Sequence, residues 1–481
     1  MRIDQIEIEN YKGFEGKHLF KFKGNLVFLV GENNTGKTSV IEAFDFLKSG
    51  LPEKRTLEEI KNKNSLDHLK VVVKLKNEIK NVIVDFSEKK YESYVFDEGD
   101  GIETIILQRS SESKTIIQNG KNVSLDIKKI TIWNDTTKQF ENPAGIDTAI
   151  RTLFETQFIW SDTNSDNVVD FGPTRICGKL LGSVFSDFQS TQKWKTFQDL
   201  HRDTFTGSDS FGSKAKDIEI KIKDVFKKQY GDIDLEFDFS FPNPTSFFKS
   251  AGILVDDGIK TKLEDKGSGM QRSMAIAILQ VYAQIITTHP LDPLKIKPLF
   301  FFIDEPEISL HPKAQAQLLD ALMEISKSQQ VFITTHSPFL LKQYNSSSHD
   351  LFVFNKDHKQ KIMVSTSVSF NLFSKPSWGE IVYKAFGIPT EDFHNELYGK
   401  LQEKEGRPFI ESTDKTKSIE EFFVNNGYNR IKSWTLSNGK SYKQTLMSSI
   451  RNKIHHPEEL NIPSYNMKEL KESIDNMIGL L

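Results

Sequence analysis

Apolar residues along this chain fall into two patterns. The apolar runs Leu26–Val30 and Pro298–Ile303, and the buried-type stretch Gln330–Thr335, suit parallel strands covered on both faces. Alternation governs the start, where Ile3, Ile6 and Ile8 have polar neighbours and Asn10-Tyr11-Lys12-Gly13-Phe14 reads as a turn. Short β-rich runs follow at Leu69–Leu75, Val82–Phe86, Tyr94–Phe96, Thr104–Leu107, Thr115–Ile117 and Ile130–Trp133, which reads as an antiparallel meander. Helical spacing is predicted at Ser39–Lys48, Lys179–Asp199, Lys214–Lys228, from Met270 to about Ile286, and from Pro312 to about Ser326. Strands are expected at Asp234–Phe241 and Ile253–Leu263. Beyond about Pro376 the pattern is helices separated by polar loops, one helix beginning near Tyr442. Gln402–Lys417, charged and rich in Gly, Pro, Ser and Thr, reads as a linker. The expected fold class is α/β: a mostly parallel sheet, an antiparallel β subdomain at 69–133, a short helical lobe at 178–230, all within 1–375, and a C-terminal helical domain at 376–481.

Chemistry enters between the first apolar run and its helix. Residues 31–38, Gly-Glu-Asn-Asn-Thr-Gly-Lys-Thr, form a complete GxxxxGK[ST] phosphate loop. The strand aims the loop, and the following helix offers free N–H groups and a positive dipole end to phosphate. Gly31, Asn33, Asn34, Thr35, Gly36, Lys37, Thr38 and Ser39 are the expected nucleotide contacts. Lys37 would reach the β- and γ-phosphates, and the Thr38 hydroxyl would ligate Mg²⁺.

The Asp304-Glu305 pair ends the second apolar run, where chemistry on a parallel sheet is usually done. Asp304 would hold Mg²⁺, and Glu305 would orient the water that attacks the γ-phosphate. Gly267-Ser268-Gly269-Met270-Gln271-Arg272 opens a helix, with Ser268 as its cap. Either it is only a helix start, or Ser268 and Gly269 form a loop that grips the γ-phosphate of a nucleotide held by a second subunit. His336 is either a satisfied loop residue or a γ-phosphate sensor.

Bulk composition sharpens this only by exclusion. A formal net charge of −3 across 481 residues gives no global electrostatic argument for nucleic acid or an anionic membrane, so a polyanion partner would need a local patch. The single cysteine, Cys177, excludes an internal disulfide and a four-cysteine zinc site, which makes a reducing cytoplasm the expected compartment. It reads most simply as a small buried hydrophobe. No apolar run approaches the roughly 20 residues needed to span a bilayer, and the N-terminus lacks a signal-peptide profile.

In order, Ile6-x-Ile8-x-Asn10-Tyr11-Lys12-Gly13-Phe14, GENNTGKT, KGSGMQR, FFFIDEPEISLHP and THSP resemble the ABC-type ATPases related to RecF and SMC proteins, most closely the AAA-15 or OLD-like branch. The similarity spans about residues 1–370. It implies an ABC-ATPase head that dimerises head to head, with two ATPs between one subunit's phosphate loop and the other's signature loop. It also implies Glu305 as the catalytic carboxylate, Ser309–Pro312 as the D-loop, His336 as the switch histidine and Lys12 as a contact near the nucleotide. Gln108 and Gln157 both remain open for the Q-loop role. The long heptad insertion and CxxC hook of SMC-type proteins are missing. No Asp-x-Asp pair follows His336, so two-metal DNA cleavage of the OLD type is not expected within this chain.

The string Ser449-Ile450-Arg451-Asn452-Lys453-Ile454-His455-His456-Pro457 resembles the Arg-x4-6-His motif of HEPN domains, helical modules that often act as metal-independent RNases. Arg451 would meet the phosphate, and His455 or His456 would manage protons. On a regular helix His455 lies about 40° around from Arg451 and His456 about 140°, although Pro457 ends the last turn. Alternatives are a degenerate interaction module, or basic residues that merely complement a helix dipole.

The expected function is thus a dimeric ATPase, with ATP and Mg²⁺ as cofactors, acting as a sensor or regulator in bacterial anti-phage defence. It resembles the ATPases of Septu, retron and PARIS-like systems, which restrain or activate a separate nuclease effector. An ATP-gated ribonuclease in one chain and a RecF-like DNA repair ATPase are the alternatives.

Overall fold

A computed structural model describes the chain apart from residues 53–54, 86–88, 161–170, 173–175, 232, 243–246, 249–250, 289–297, 367, 369, 375 and 436–438. It forms two compact units, Met1–Ser161 with Lys297–Leu481, and Asp162–Ile296.

The first unit contains the mostly parallel sheet read from the apolar runs. Its six strands run in the order Glu155–Ile159, Leu299–Asp304, Gln330–Thr335, Leu26–Gly31, His349–Lys356 and Ile362–Ser365, and only the last is antiparallel to its neighbour. Leu26–Gly31, Leu299–Asp304 and Gln330–Thr335 are buried at every position, as an unbroken apolar run demands. A second, seven-stranded sheet carries the N-terminal strands. Arg2–Glu9 lies between Lys17–Lys21 and Lys70–Lys76, and the sheet continues through Glu103–Ser110, Thr131–Asn134 and Gln139–Glu141.

The phosphate-loop helix Lys37–Ser49 packs on strands of both sheets. Val40, Ile41, Ala43, Phe44, Phe46 and Leu47 are all buried, so apolar residues surround most of its circumference. One core therefore joins the two sheets through this helix.

Several local expectations change. The β-rich region is not a simple meander, because Arg2–Glu9 and Lys17–Lys21 extend its sheet beyond Lys70–Lys76 and, among the described residues, Lys114–Gln118 pairs only with Lys121–Leu125. Val82–Phe86 is not a strand: Ile79–Asp85 is a helix that buries Ile79, Val82 and Ile83 at helical spacing, and Phe86 lies outside the described residues. Tyr94 ends a 3₁₀ turn, leaving only Phe96–Asp97 as strand.

The second unit holds the helices Ile176–Gln189, Gln192–Thr206, Phe211–Tyr230 and Ser268–Thr288 and the hairpin Leu254–Asp256 with Lys260–Lys262. The expected helix Lys179–Asp199 is broken at Ser190-Thr191, where Thr191 caps the second piece. Residues 233–241 form no strand. Their alternation instead sends Phe237, Phe239 and Phe241 into an aromatic cluster, where Phe241 meets Trp194 at 5.4 Å and Phe239 meets Phe211 at 5.4 Å between ring centroids. Cys177 is buried, as its composition-based reading anticipates.

Beyond Ser377 the chain adds the helices Trp378–Phe386, Glu391–Lys404, Ile419–Asn425, Leu446–His455 and Met467–Leu480 around their own core of Phe393, Leu397, Tyr398, Phe423, Met447 and Ile474. Side chains of Ser377, Thr390, Ser418 and Asn466 cap four of them. Residues 402–417 are not a free linker: helix Glu391–Lys404 runs into them, and the Phe409 carbonyl accepts from Ile419 N at 2.8 Å. Tyr442 does not start a helix. Ser441–Gln444 pairs with Lys432–Thr435, and the helix begins after Thr445, which the buried Glu420 holds through its backbone N–H (2.7 Å) and hydroxyl (2.9 Å). Among the described residues no helix is long and apolar enough to cross a membrane.

Candidate active site

Three neighbouring strands deliver the site. Leu26–Gly31 ends in the phosphate loop, Leu299–Asp304 in the carboxylate pair, and Gln330–Thr335, which lies between them, in His336. Parallel register places Thr334 beside both Asp304 and Leu29, so all three chain ends open at one edge.

Glycine is required at two positions of the loop. At Gly31 φ is +142° and an added Cβ would stand 2.1 Å from the Phe354 carbonyl oxygen. At Gly36 φ is +95° and the Cβ would meet Ile362 at 2.7 Å. The loop is held by its own groups: Thr35 Oγ1 donates to Glu32 O at 2.7 Å, and the Lys37 ammonium donates to Gly31 O (3.0 Å) and Glu32 O (2.7 Å). Burial lowers the Lys37 pKa to about 8, against the opposing pull of Glu305, Asp304, Glu307 and Glu32.

Asp304 is buried at the base of the site. One carboxylate oxygen accepts from Thr38 Oγ1 at 2.8 Å and from Thr334 Oγ1 at 2.6 Å. Glu305 takes φ of +47°, uncommon for a residue with a side chain, and its N–H is held by Thr334 O (3.1 Å) and Oγ1 (3.0 Å). Its Oε1 lies 3.2 Å from His336 Nε2. Burial lowers the His336 pKa, Lys37 adds to that, and Glu305 opposes it. Behind them Glu307 accepts from Thr335 Oγ1 at 2.8 Å and from His336 N at 2.7 Å; burial raises its pKa. Ser337 Oγ donates to Gln315 Oε1 at 2.5 Å.

These parts line one cleft of about 330 Å³ bounded by Asn33, Asn34, Thr35, Gly36, Lys37, Thr38, Ser39, Glu305 and His336. Lys12 is not among them: its ammonium pairs with Glu42 on the phosphate-loop helix. Nor are the two Q-loop candidates. Gln157 sits on the edge strand opposite Phe301, and Gln108 is buried in the antiparallel sheet, where its carbonyl accepts from Thr131. Ser309 takes φ of +64° in the turn after Glu307. In the second unit the signature-like helix begins at Ser268 itself, so Gly267 rather than Ser268 occupies the cap position, its carbonyl accepting from Met270 N (2.9 Å) and Gln271 N (3.2 Å). The Gln271 amide folds back onto Glu264 O (3.0 Å) and Lys266 O (2.7 Å), closing the turn before Ser268 and Gly269.

Motif reading passed over Thr334, Glu307 and Gln315. Thr334 and Glu307 hold the reacting groups from behind, and Gln315 accepts from Ser337 beside them. The only sequence signal was that the TTHSP and DEPE strings each contain a second polar residue beside the expected one.

The C-terminal candidates divide. Arg451 Nη1 donates to Asn452 Oδ1 at 3.4 Å, and His455 is the last residue of its helix. His456 leaves helical geometry (φ −130°, ψ 63°), its N–H bonded to Asn452 O at 2.9 Å. His456 and Asn452 line a separate cavity of about 350 Å³; Arg451 and His455 are not among its walls. Among the described residues no group of three His, Cys, Asp or Glu side chains could hold a metal ion.

Comparison with known proteins agrees with this geometry. Residues 1–341 match the family AAA_15, described as an AAA ATPase domain. The chain is 25% identical over 362 residues to the Old nuclease of Escherichia phage P2, covering 72% of this chain and 58% of that protein. It is 25% identical over 199 residues to the OLD nuclease of Thermus scotoductus, covering 40% and 35%. The chain thus spans little more than half the length of one relative and about a third of the other. Among solved structures, the Smc head bound to the C-winged helix domain of ScpA aligns at a TM-score of 0.44 and 15% identity over 76% of this chain and 98% of that one. A Smc head with an extended coiled coil, bound to the ScpA C-terminal domain from Pyrococcus furiosus, aligns at 0.43 and 14% over 76% and 96%. Scores this low add nothing to the topology described above. With a family match across most of its length and a phosphate loop facing a strand-end carboxylate pair, the chain belongs to the AAA_15 family and is an ATPase.

Proposed function

We propose that this ATPase works as a cytoplasmic head-to-head homodimer that controls a nuclease effector in bacterial anti-phage defence. The observation that carries the reading is the convergence of Lys37, Thr38, Glu305 and His336 on one cleft above the Thr38–Asp304 hydrogen bond. Lys37 would pair with the β- and γ-phosphates. The Thr38 hydroxyl and the Asp304 carboxylate are oxygen donors of the kind Mg²⁺ selects, and they would hold it; the ion supplies neutralising charge to the phosphates. Glu305 would accept a proton from the attacking water, while Glu307 keeps the His336 backbone in place to sense the γ-phosphate.

Ser268 and Gly269 of a second copy would complete this site, so that ATP bridges the subunits. The relatives' names support a nuclease output. A second output, RNA cleavage by the chain itself through Arg451, His455 and His456, is favoured by one observation: His456 lines a cavity at the end of its helix.

Size-exclusion chromatography with light scattering tests the dimer. The Glu305→Gln protein with ATP and Mg²⁺ is expected to elute as a dimer that the Lys37→Ala protein does not form; monomers in both cases would overturn the reading. Incubation with total RNA and plasmid DNA separates the outputs. RNA loss that depends on His456 supports the ribonuclease, salt-dependent DNA binding without cleavage supports a RecF-like role, and neither is expected for a regulator of a separate effector.

A further inference from the structure

The cavity beside His456 has walls that no part of the ATP site explains. The hairpin Lys432–Thr435 with Ser441–Gln444 places Trp434 directly across from Tyr442, and their rings lie nearly parallel, 18° apart with centroids at 5.4 Å. Gln444, buried at the end of the hairpin, donates to Glu411 Oε1 at 2.8 Å and accepts from Asn452 Nδ2 at 2.8 Å. One wall is thus a flat aromatic surface and another a fixed series of carboxylate and amides. Lys440 supplies positive charge at the same cavity, and His456 adds an imidazole.

We infer that this cavity binds guanine, the base whose edge carries two adjacent N–H donors, from a free nucleotide or an RNA strand. Parallel rings favour a planar guest, since bases stack on aromatic side chains with little regard to sequence. Glu411 and Glu459 both line the cavity, so the edge that meets them must donate; guanine presents two adjacent donors, N1–H and N2–H₂, whereas cytosine and adenine each set one amino group beside an acceptor nitrogen and uracil has a single N–H between two carbonyls. The same carboxylates repel phosphate, which therefore stays outside, toward exposed Lys440. A cationic guest is disfavoured because the Lys440 ammonium already lies 4.8 Å from the Tyr442 ring centroid. The cavity of about 350 Å³ is within the range of small-ligand sites. This inference does not rest on the ATPase reading, and its test keeps the ATP site filled.

Saturation-transfer NMR on the full chain, with saturating ADP and Mg²⁺, would use guanosine, cytidine, adenosine and uridine, which carry no phosphate. Transfer to guanosine base protons is expected, with affinity falling about tenfold in Tyr442→Ala and little changed in Tyr442→Phe. Tyr442→Leu fills the same space and replaces Tyr442→Ala should the latter not fold. A ten-nucleotide G/C-containing RNA that displaces guanosine identifies the strand as the source; displacement by GMP but not by the RNA identifies the free nucleotide. No transfer to base protons, equal transfer with Tyr442→Leu, equal binding of all four nucleosides, or displacement by choline would each overturn the proposal.

Discussion

The Thr38 hydroxyl donates to the Asp304 carboxylate at 2.8 Å across 266 residues of chain, and Thr334, on the strand between their two strands, donates to the same oxygen. Three strand ends are thereby locked at the point where a metal-bound phosphate would lie. Thr38→Ala or Asp304→Asn is expected to weaken Mg²⁺-dependent nucleotide binding about tenfold or more, roughly the worth of a lost charge-assisted contact. Titration of a fluorescent ATP analogue with and without Mg²⁺ checks it; an unchanged difference between the two conditions refutes it.

Thr334→Val should act on the chemistry without contacting nucleotide. It removes the donor to Asp304 and one of the two acceptors for Glu305 N–H. We expect kcat for ATP hydrolysis to fall about tenfold while KM changes little, because the loss is in positioning rather than in ground-state binding.

Glu305→Gln keeps the shape of the side chain and removes its basicity. Hydrolysis should fall about 10²- to 10⁴-fold, the usual contribution of a positioned base, with ATP affinity within about threefold of the parent. Single-turnover assays beside equilibrium binding separate the two effects; a parent-like rate would assign the base elsewhere.

Lys37 sets a pH limit. With its pKa lowered by burial to about 8, the ammonium is charged below that pH and is progressively lost above it, so phosphate binding should be flat from about pH 6.5 to 7.5 and weaken about tenfold per unit well above 8. Calorimetry near pH 8 in buffers of differing ionisation enthalpy should show proton uptake on binding. Lys37→Arg, which cannot deprotonate there, should bind without that uptake.

His394 gives the C-terminal module an acid limit. Its ring is fully buried, with Nε2 2.9 Å from Ser473 Oγ, and burial, reinforced by His455, depresses its pKa from 6.5 to about 3. The folded state therefore holds this group neutral while the unfolded chain protonates it, so its contribution is constant above about pH 6.5 and declines as pH falls from there toward 3. That is one proton, about 1.4 kcal/mol per pH unit. Urea unfolding of the module between pH 6.5 and 4.5 should lose stability less steeply in His394→Leu.

Trp378 opens the first helix beyond residue 375 and packs on Phe339, three residues past His336, at 4.6 Å between ring centroids. If ATP shifts His336, this contact transmits it. Amide exchange across Trp378–Phe386 should respond to ATP in the parent protein and not in Trp378→Ala.

Much of the ATP site was legible in the residues because its parts are local. A phosphate loop needs glycines, a lysine and a hydroxyl at fixed spacing, and Leu26–Val30 and Pro298–Ile303 announce strands buried on both faces. Short runs misled where neighbours decide: Val82 and Ile83 are equally suited to strand or helix until Ile79 and the sheet behind them select the helix, and Tyr442 belongs to a strand only because Lys432–Thr435 pairs with it. The sequence by itself determined the loop, the carboxylate pair and the histidine. Only the tertiary structure decided that Lys12 pairs with Glu42, that Thr334 and Glu307 brace the reacting groups, and that His456 parts from Arg451 to line a different cavity. The physical reason is reach: backbone spacing fixes contacts within a turn or two, whereas strand order and register fix contacts across hundreds of residues.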